Sequence, residues 1–347
     1  MVETRRVASI EETQSYLGTQ VEFEGVDDVT RSDIRRKLEV YCFDCPLHYD
    51  SAVAKAHGFR DIIAPLAMVP LWAQPPNWAP GQPSIFGPGK KELGGRAQLE
   101  VPTPFSRGFN ASAEVENIGP LYPGDHLHGT TQLIEVKPRE TRVGNGVFLT
   151  TETRLWKSSG ELVWVNRSTG YRYDPSPERL TSMKPEAPEK TPVAQVDLNA
   201  DNPDVDWTRQ IRFGDVVVGD AVPPYSVWLS YQRIVMSVAN DRMWGTNHYN
   251  RDAARAGGLD DIIFNTRGYE MMFEITLRRW MGLDGRIKKM GPFRMNRSSH
   301  PGDTITGHAK VTGKEVVDGQ GLVYLEIGVD NPRTEAAKGE ATVTLPM

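Results

Sequence analysis

Two histidines occupy equivalent places in a sequence that repeats itself. His48 opens a segment that runs through Tyr49, Asp50, Ala52, Ala54 and Gly58 to Asp61-Ile62-Ile63. His248 opens its echo, which runs through Tyr249, Asn250, Ala253, Ala254 and Gly258 to Asp261-Ile262-Ile263. The two align without gaps, position 48 on position 248. Imidazole is the side chain best matched to proton transfer near neutral pH, so each copy offers a general base or a group that orients water. The competing role for either ring is packing or capping. Asp44 and Asp241 precede the histidines and are candidate proton partners, with solvated loop positions as the plainer reading. Cys42, Cys45 and His48 are spaced three apart, a weak match to a soft-metal or redox site. Without a second cluster, the two sulfurs read as small apolar packing groups and no metal or cofactor is expected.

The elements around these residues repeat as well. Ala-rich, helix-favouring stretches follow both histidines and end at Gly58 or Gly258, a residue suited to a helix C-terminus. Thr266 to Met281 is proline-free and apolar on more than one face, as expected of a buried helix. Its counterpart, Leu66 to Pro76, is interrupted by prolines, which remove backbone donors and clash with the preceding turn. Pro123-Gly124-Asp125 and Pro301-Gly302-Asp303 read as paired turns. Asp61 and Asp261 read as turn or capping residues, and His126 and His128 as surface residues beside the first Pro-Gly-Asp turn. Alternating stretches such as Val147–Trp156 and Leu322–Val329 follow as strands, with Gly144 and Gly319 at hairpin turns. The expectation is an α+β unit made twice: residues 1–175, a Pro- and charge-rich linker at 176–206, and residues 207–347.

A chain of 347 residues holds two such cores. Its net charge of −5 argues against a nucleic-acid partner. The first residues lack an apolar signal-peptide core and no apolar run approaches the roughly 20 residues of a membrane span. Two cysteines suit a reducing, cytoplasmic setting.

A histidine before an Ala-rich helix, then Gly-x-x-Asp-Ile-Ile, a buried helix and a late Pro-Gly-Asp turn resembles the MaoC-like dehydratase and enoyl-CoA hydratase family. The N-terminal half, with Ile62-Ile63-Ala64-Pro65, is similar to the dehydratase-like domain fused to MaoC domains. The C-terminal half, through Phe264-Asn265 and His300-Pro301-Gly302-Asp303-Thr304, is similar to the MaoC domain itself. The resemblance implies two tandem hotdog domains, each an antiparallel sheet wrapped around a helix. It also implies a hydro-lyase acting on an acyl-CoA thioester, with coenzyme A present only as part of the substrate.

The family motif, Asp-x-Asn-Pro-x-His, lets a carboxylate and an imidazole share one water. Here Phe43 and Met243 stand where the acid belongs; Asp44 comes one position late, Asp241 two early, and Asn247 directly precedes His248. By position, the Thr266 amide supplies the oxyanion donor. His248 is expected to be the main catalytic residue, with His48 in a reshaped copy that shapes the acyl tunnel. Arg278, Arg279, Lys288, Lys289, Arg294 and Arg297 are candidates for phosphate contacts, and Trp72, Trp78, Trp244 and Phe264 for the tunnel wall. The displaced acids keep two alternatives open, a hotdog thioesterase and a non-catalytic subunit that needs a partner chain. A homodimer is compatible with each.

Overall fold

The computed structural model describes residues 8–88, 90, 98–105, 107–175 and 202–347. Most of the 176–206 segment expected as a linker therefore lies outside the described residues. Asn202, inside that span, is anchored instead, its side chain exchanging two hydrogen bonds with the Ser226 backbone.

The N-terminal half contains strand β1 (Gln20–Glu24), helix α2 (Arg31–Tyr41) behind the short α1 (Ile10–Ser15), and helix α3 (Ser51–Ala56). Strands β2 (Arg107–Asn117), β3 (Leu127–Thr141), β4 (Gly144–Lys157) and β5 (Leu162–Pro175) follow. The C-terminal half repeats the plan: β6 (Ala221–Trp228), α4 (Tyr231–Asp241), α5 (Arg251–Ala256), α6 (Thr266–Met281), β7 (Arg286–Met295), β8 (Thr304–Val317), β9 (Gln320–Asn331) and β10 (Thr334–Leu345).

All ten strands form one sheet in the order β1-β3-β4-β5-β2-β7-β10-β9-β8-β6. Read from either edge, each half has the same order. The halves meet where equivalent strands pair antiparallel, Ala113 opposite Phe293 and Val115 opposite Met290. That is the pattern of a two-fold dimer made within one chain.

Local sequence explains the matching details. Thr30 and Ser230 cap α2 and α4 by accepting the amides of Asp33 and Arg233, and Asp50 and Asn250 cap α3 and α5. In both Pro-Gly-Asp turns the aspartate carboxylate accepts a backbone amide, Tyr122 in one and His300 in the other. The glycine holds a φ of 88° or 93°, which a side chain disfavours. Asp318 and Gly319 both take positive φ, as the tight β8–β9 hairpin requires.

The halves differ at their centre. The C-terminal strands wrap α6, whose core-facing Met271, Met272, Phe273, Ile275 and Leu277 are essentially inaccessible. In the N-terminal half, Leu66–Ala73 forms only a 3₁₀ segment with Pro70 inside, and it packs against α6. One shared core results, with a smaller cluster around Leu99, Leu133, Val147 and Leu149 under the N-terminal sheet.

Candidate active site

Helix α4 ends in a left-handed residue, Arg242, and the Met243 amide returns to the Val238 carbonyl. The chain then makes a 3₁₀ turn, Thr246–His248, in which the His248 amide bonds to the Gly245 carbonyl at 2.9 Å. The imidazole Nδ1 donates to the Ile263 carbonyl at 2.8 Å. That bond fixes the neutral tautomer and leaves Nε2 as an acceptor. Burial lowers the ring's pKa, partly opposed by the Ile263 bond, so the ring is neutral at physiological pH.

His48 is built the same way, with Nδ1 bonded to the Ile63 carbonyl at 2.9 Å. Its surroundings differ. The ring is 3% exposed, its Nε2 has no partner among the described residues, and Phe43 tilts over it at 5.3 Å. Burial, reinforced by the Arg278 charge, pushes its pKa down to about 4. The buried Cys45 sits beside it with a thiol pushed up to about 12, which suits a packing group rather than a reactive thiolate. Cys42 and Cys45 are both free.

His248 borders a cavity of about 290 Å³. The opposite wall belongs largely to the N-terminal half: Phe23, Pro70, Ala73, Thr153, Leu155, Trp164 and Asn166. Thr153 pairs with Asn166 and Leu155 with Trp164 across β4 and β5, so these four side chains share one sheet face. Gly245 stands where the first copy has Cys45. A Cβ there would lie 2.9 Å from Asn247 Oδ1 and 3.0 Å from His248 Cδ2. Its φ of −60° is open to any residue, so the glycine provides room, not backbone freedom.

The first turn of α6 reaches this cavity through Arg267. Asn265 caps the helix, accepting the Gly268 amide at 2.7 Å, and the Thr266 and Arg267 amides have no helical acceptor. In the other copy the matching amides, Leu66 and Ala67, are occupied. They donate at 2.9 and 3.1 Å to the buried carboxylate of Glu274 from α6, whose pKa burial raises. The N-terminal copy thus holds an internal carboxylate against amides whose C-terminal counterparts have no acceptor among the described residues.

The other expected residues are dispersed. Asp241 is buried in an ion pair with Lys37 and also accepts from Asn265 Nδ2 at 3.4 Å; it does not line the cavity. Asn247 bonds to Ile263 through its backbone carbonyl, and Thr266 Oγ1 accepts from Asn110. Asp44 is exposed and accepts from the Tyr49 hydroxyl. Arg278 is buried, donating to the Gly282 and Gly285 carbonyls; Lys289 pairs with Glu114; Lys288 and Arg294 are exposed. Arg279 donates to the Pro203 carbonyl, and Arg297 is exposed. Trp72 is in the core, Trp78 and Phe264 lie outside the cavity wall, and Trp244 meets Tyr249 edge-on. The cations at the cavity are instead Arg242 and Arg267. Asp61 and Asp261 each accept the following amide and pair with Arg31 and Arg251, and His126 and His128 lie on β3 and its approach.

Residues 15–165 match the family model of the FAS1-like dehydratase domain region. Two solved structures share the whole architecture. One is a MaoC-like dehydratase at TM-score 0.69 and 18% identity, covering 96% of this chain and 99% of that one. The other is a MaoC domain protein dehydratase from Chloroflexus aurantiacus at TM-score 0.65 and 14% identity, covering 100% and 99%. A Mycobacterium tuberculosis protein with a double hotdog fold aligns at TM-score 0.56 and 12% identity, over 95% of each chain. The chain has a double-hotdog fold. Among curated relatives, a Thermomonospora curvata protein named as a probable enoyl-CoA hydratase alpha subunit is 28% identical over 51% of this chain, and the match spans 54% of that subunit. A Saccharopolyspora erythraea UPF0336 protein is 27% identical over 45% of this chain and 88% of its own length.

Set in the MaoC-like fold, the site depends on residues that the motif alone does not reveal. Gln74, Gln98, Thr153, Trp164, Asn166 and Arg267 come from five separate stretches. The i, i+2 spacing of Thr153 with Leu155 and of Trp164 with Asn166 was the available clue to a shared face. Among the described residues no helix is long and apolar enough to cross a membrane.

Proposed function

We propose that this MaoC-like protein adds water to, or removes it from, an acyl-CoA thioester, with the chemistry confined to the C-terminal copy. The observation that carries this reading is the neutral His248 imidazole, with Nε2 as acceptor, on a cavity walled by the other half. In the hydration direction, water attacks C3 of the C2=C3 double bond. Its proton passes to His248 Nε2 while the double-bond electrons move to the thioester oxygen. The enolate forms against the open amides at the start of α6, where the helix dipole adds stabilisation. The proton then returns from the imidazolium to C2, leaving the 3-hydroxyacyl thioester.

The acyl group lies along Phe23, Leu155 and Trp164, and Arg242 and Arg267 meet the charged carrier. The test is consumption of a trans-2-enoyl-CoA by the purified chain, wild type against His248→Asn. Loss in the variant supports the reading, and equal rates refute it.

Among the described residues, no carboxylate lines the cavity, so His248 makes both proton transfers. The same observation favours one alternative, an acyl-CoA-binding subunit completed by a partner chain, and the relative named as an alpha subunit points the same way. Acyl-CoA binding without turnover, with turnover appearing only on addition of a second hotdog chain, would select that alternative.

A further inference from the structure

On the outer face of the C-terminal sheet, three neighbouring strands bring a histidine and two carboxylates together. His308 on β8 lies opposite Gly328 on β9, and Asp330, two residues further along β9, lies opposite Glu335 on β10. Their chain neighbours Ala309, Val329 and Ala336 are buried in the core, so strand alternation turns the three side chains away from α6. His308 and Glu335 are half-buried and Asp330 is exposed, and one ligand atom from each lies within 4.8 Å of the other two. His308 Nε2 is 3.5 Å from Asp330 Oδ2, with essentially no accessible surface and no hydrogen-bond partner among the described residues. Gly328 makes the arrangement possible, because a Cβ there would stand 2.4 Å from His308 Cε1 and 2.6 Å from Nε2. Glycine weakens a strand interior, and its presence there marks a close approach. Lys338 comes to 3.7 Å from Glu335, but its shorter contact, 3.0 Å, is with Glu326. The N-terminal half has no such set at the matching positions. Thr130 aligns with His308 after the Pro-Gly-Asp turn, Arg154 stands opposite it, and Trp156 pairs with Leu162.

We propose that His308, Asp330 and Glu335 bind a divalent transition-metal ion, zinc by ligand type, which clamps β8, β9 and β10 together. Zinc lies roughly 2.0–2.2 Å from imidazole nitrogen and carboxylate oxygen, which sets tetrahedral ligand atoms about 3.4 Å apart. His308 and Asp330 already have that spacing, and Glu335 reaches it by a side-chain rotation. A bare ion fits against Nε2 where a water molecule, whose centre stays about 3 Å from a nitrogen, does not. Water completes the coordination on the exposed side. The site shares no residue with the cavity wall, so it acts on stability and not on the substrate.

The test titrates zinc chloride into the chelator-treated full chain by calorimetry. One equivalent should bind with a Kd in the micromolar range or tighter, and the thermal midpoint should rise with zinc concentration. His308→Ala and Glu335→Gln should each weaken binding at least about tenfold and remove most of the zinc-dependent rise. Glu335→Gln keeps the size of the side chain, so its zinc-free midpoint should match the wild type and separate lost binding from lost folding. His126→Ala removes the histidine that sits between Glu24 and Asp28 in the other half, and should leave zinc binding unchanged. No binding by the wild type, undiminished binding in both site variants, or loss in His126→Ala instead would overturn the proposal and leave His308 and Asp330 as an ion pair only.

Discussion

Around His48 the protein closes over the ring, whereas around His248 it leaves a cavity, although both rings hang from the same bond to an isoleucine carbonyl. The shared parts are short-range: the helix caps, the Pro-Gly-Asp turns and the histidine tether. The parts that differ are those each half presents to the other. Phe43 and Cys45 fill the space that Met243 and Gly245 leave. Glu274 occupies the amides of Leu66 and Ala67, while those of Thr266 and Arg267 stay open. Even the contact between α2 and α4 is split: Lys37 pairs with Asp241, but its counterpart Ser237 meets Tyr41 at 3.2 Å. A two-fold duplicate can therefore make its two histidine surroundings unlike through side chains at the interface while its scaffold stays the same.

The largest effect expected from this contrast is catalytic. Asparagine at either histidine keeps a donor for the isoleucine carbonyl but supplies no base. His248→Asn should lower turnover by on the order of 10² to 10⁴, and His48→Asn should leave it nearly unchanged. Because burial lowers the His248 pKa from 6.5, wild-type activity should hold at neutral pH and fall only on acidification below about that value. Steady-state rates across pH check both statements. A comparable loss from His48→Asn would break the comparison.

The next effect is acid stability, and it belongs to the closed copy. His48 titrates at about 4 when folded and near 6.5 when unfolded. Between those values the unfolded chain binds a proton that the folded chain refuses. Stability therefore falls as pH drops from about 6.5 to about 4, by about 3 kcal/mol in total, and is flat below. Denaturant midpoints in His48→Asn should lose most of that slope. An unchanged slope would place the acid sensitivity elsewhere.

Glu274→Ala probes the plug directly. It leaves the Leu66 and Ala67 amides unpaired at a buried site, so unfolding should become easier by about 2 kcal/mol, measured by denaturation at neutral pH. Glu274→Gln, which keeps an acceptor oxygen, should cost less. Equal losses would show that packing, and not the amide bonds, holds the segment.

The fold was readable from the chain because its determinants are local and duplicated: the capped helices, the Pro-Gly-Asp turns, and a 16-residue helix set against a proline-broken copy. The site was less readable because its differences act across the two-fold. Nothing near Leu66 in the sequence announces that a carboxylate about 200 positions away will cap its amide. Arg278, Lys288 and Lys289 cluster in sequence, yet the sheet and helix send them to different places, and the cations at the cavity, Arg242 and Arg267, are isolated in sequence. Asp241 is near His248 in the chain, but the α2–α4 contact claims its carboxylate for Lys37. Proximity in sequence showed that the two histidines are equivalent, and not what surrounds either of them in space.

The smallest effect tests whether openness at His248 depends on one missing methyl. Gly245→Ala places a Cβ at 3.0 Å from His248 Cδ2 and 3.5 Å from Nε2, at the position that Cys45 holds in the other copy. The backbone accepts the change, and the nearest atom, Asn247 Oδ1 at 2.9 Å, ends a side chain that can turn away. Stability should move by less than about 0.5 kcal/mol. Turnover should fall about fivefold, because a shift of a few tenths of an ångström at the base disturbs the water it must deprotonate. The reciprocal change, Cys45→Gly, should open nothing, since Phe43 still covers His48. If Gly245→Ala turns over at the wild-type rate, the difference between the copies rests on the Glu274 plug and Phe43 rather than on Gly245.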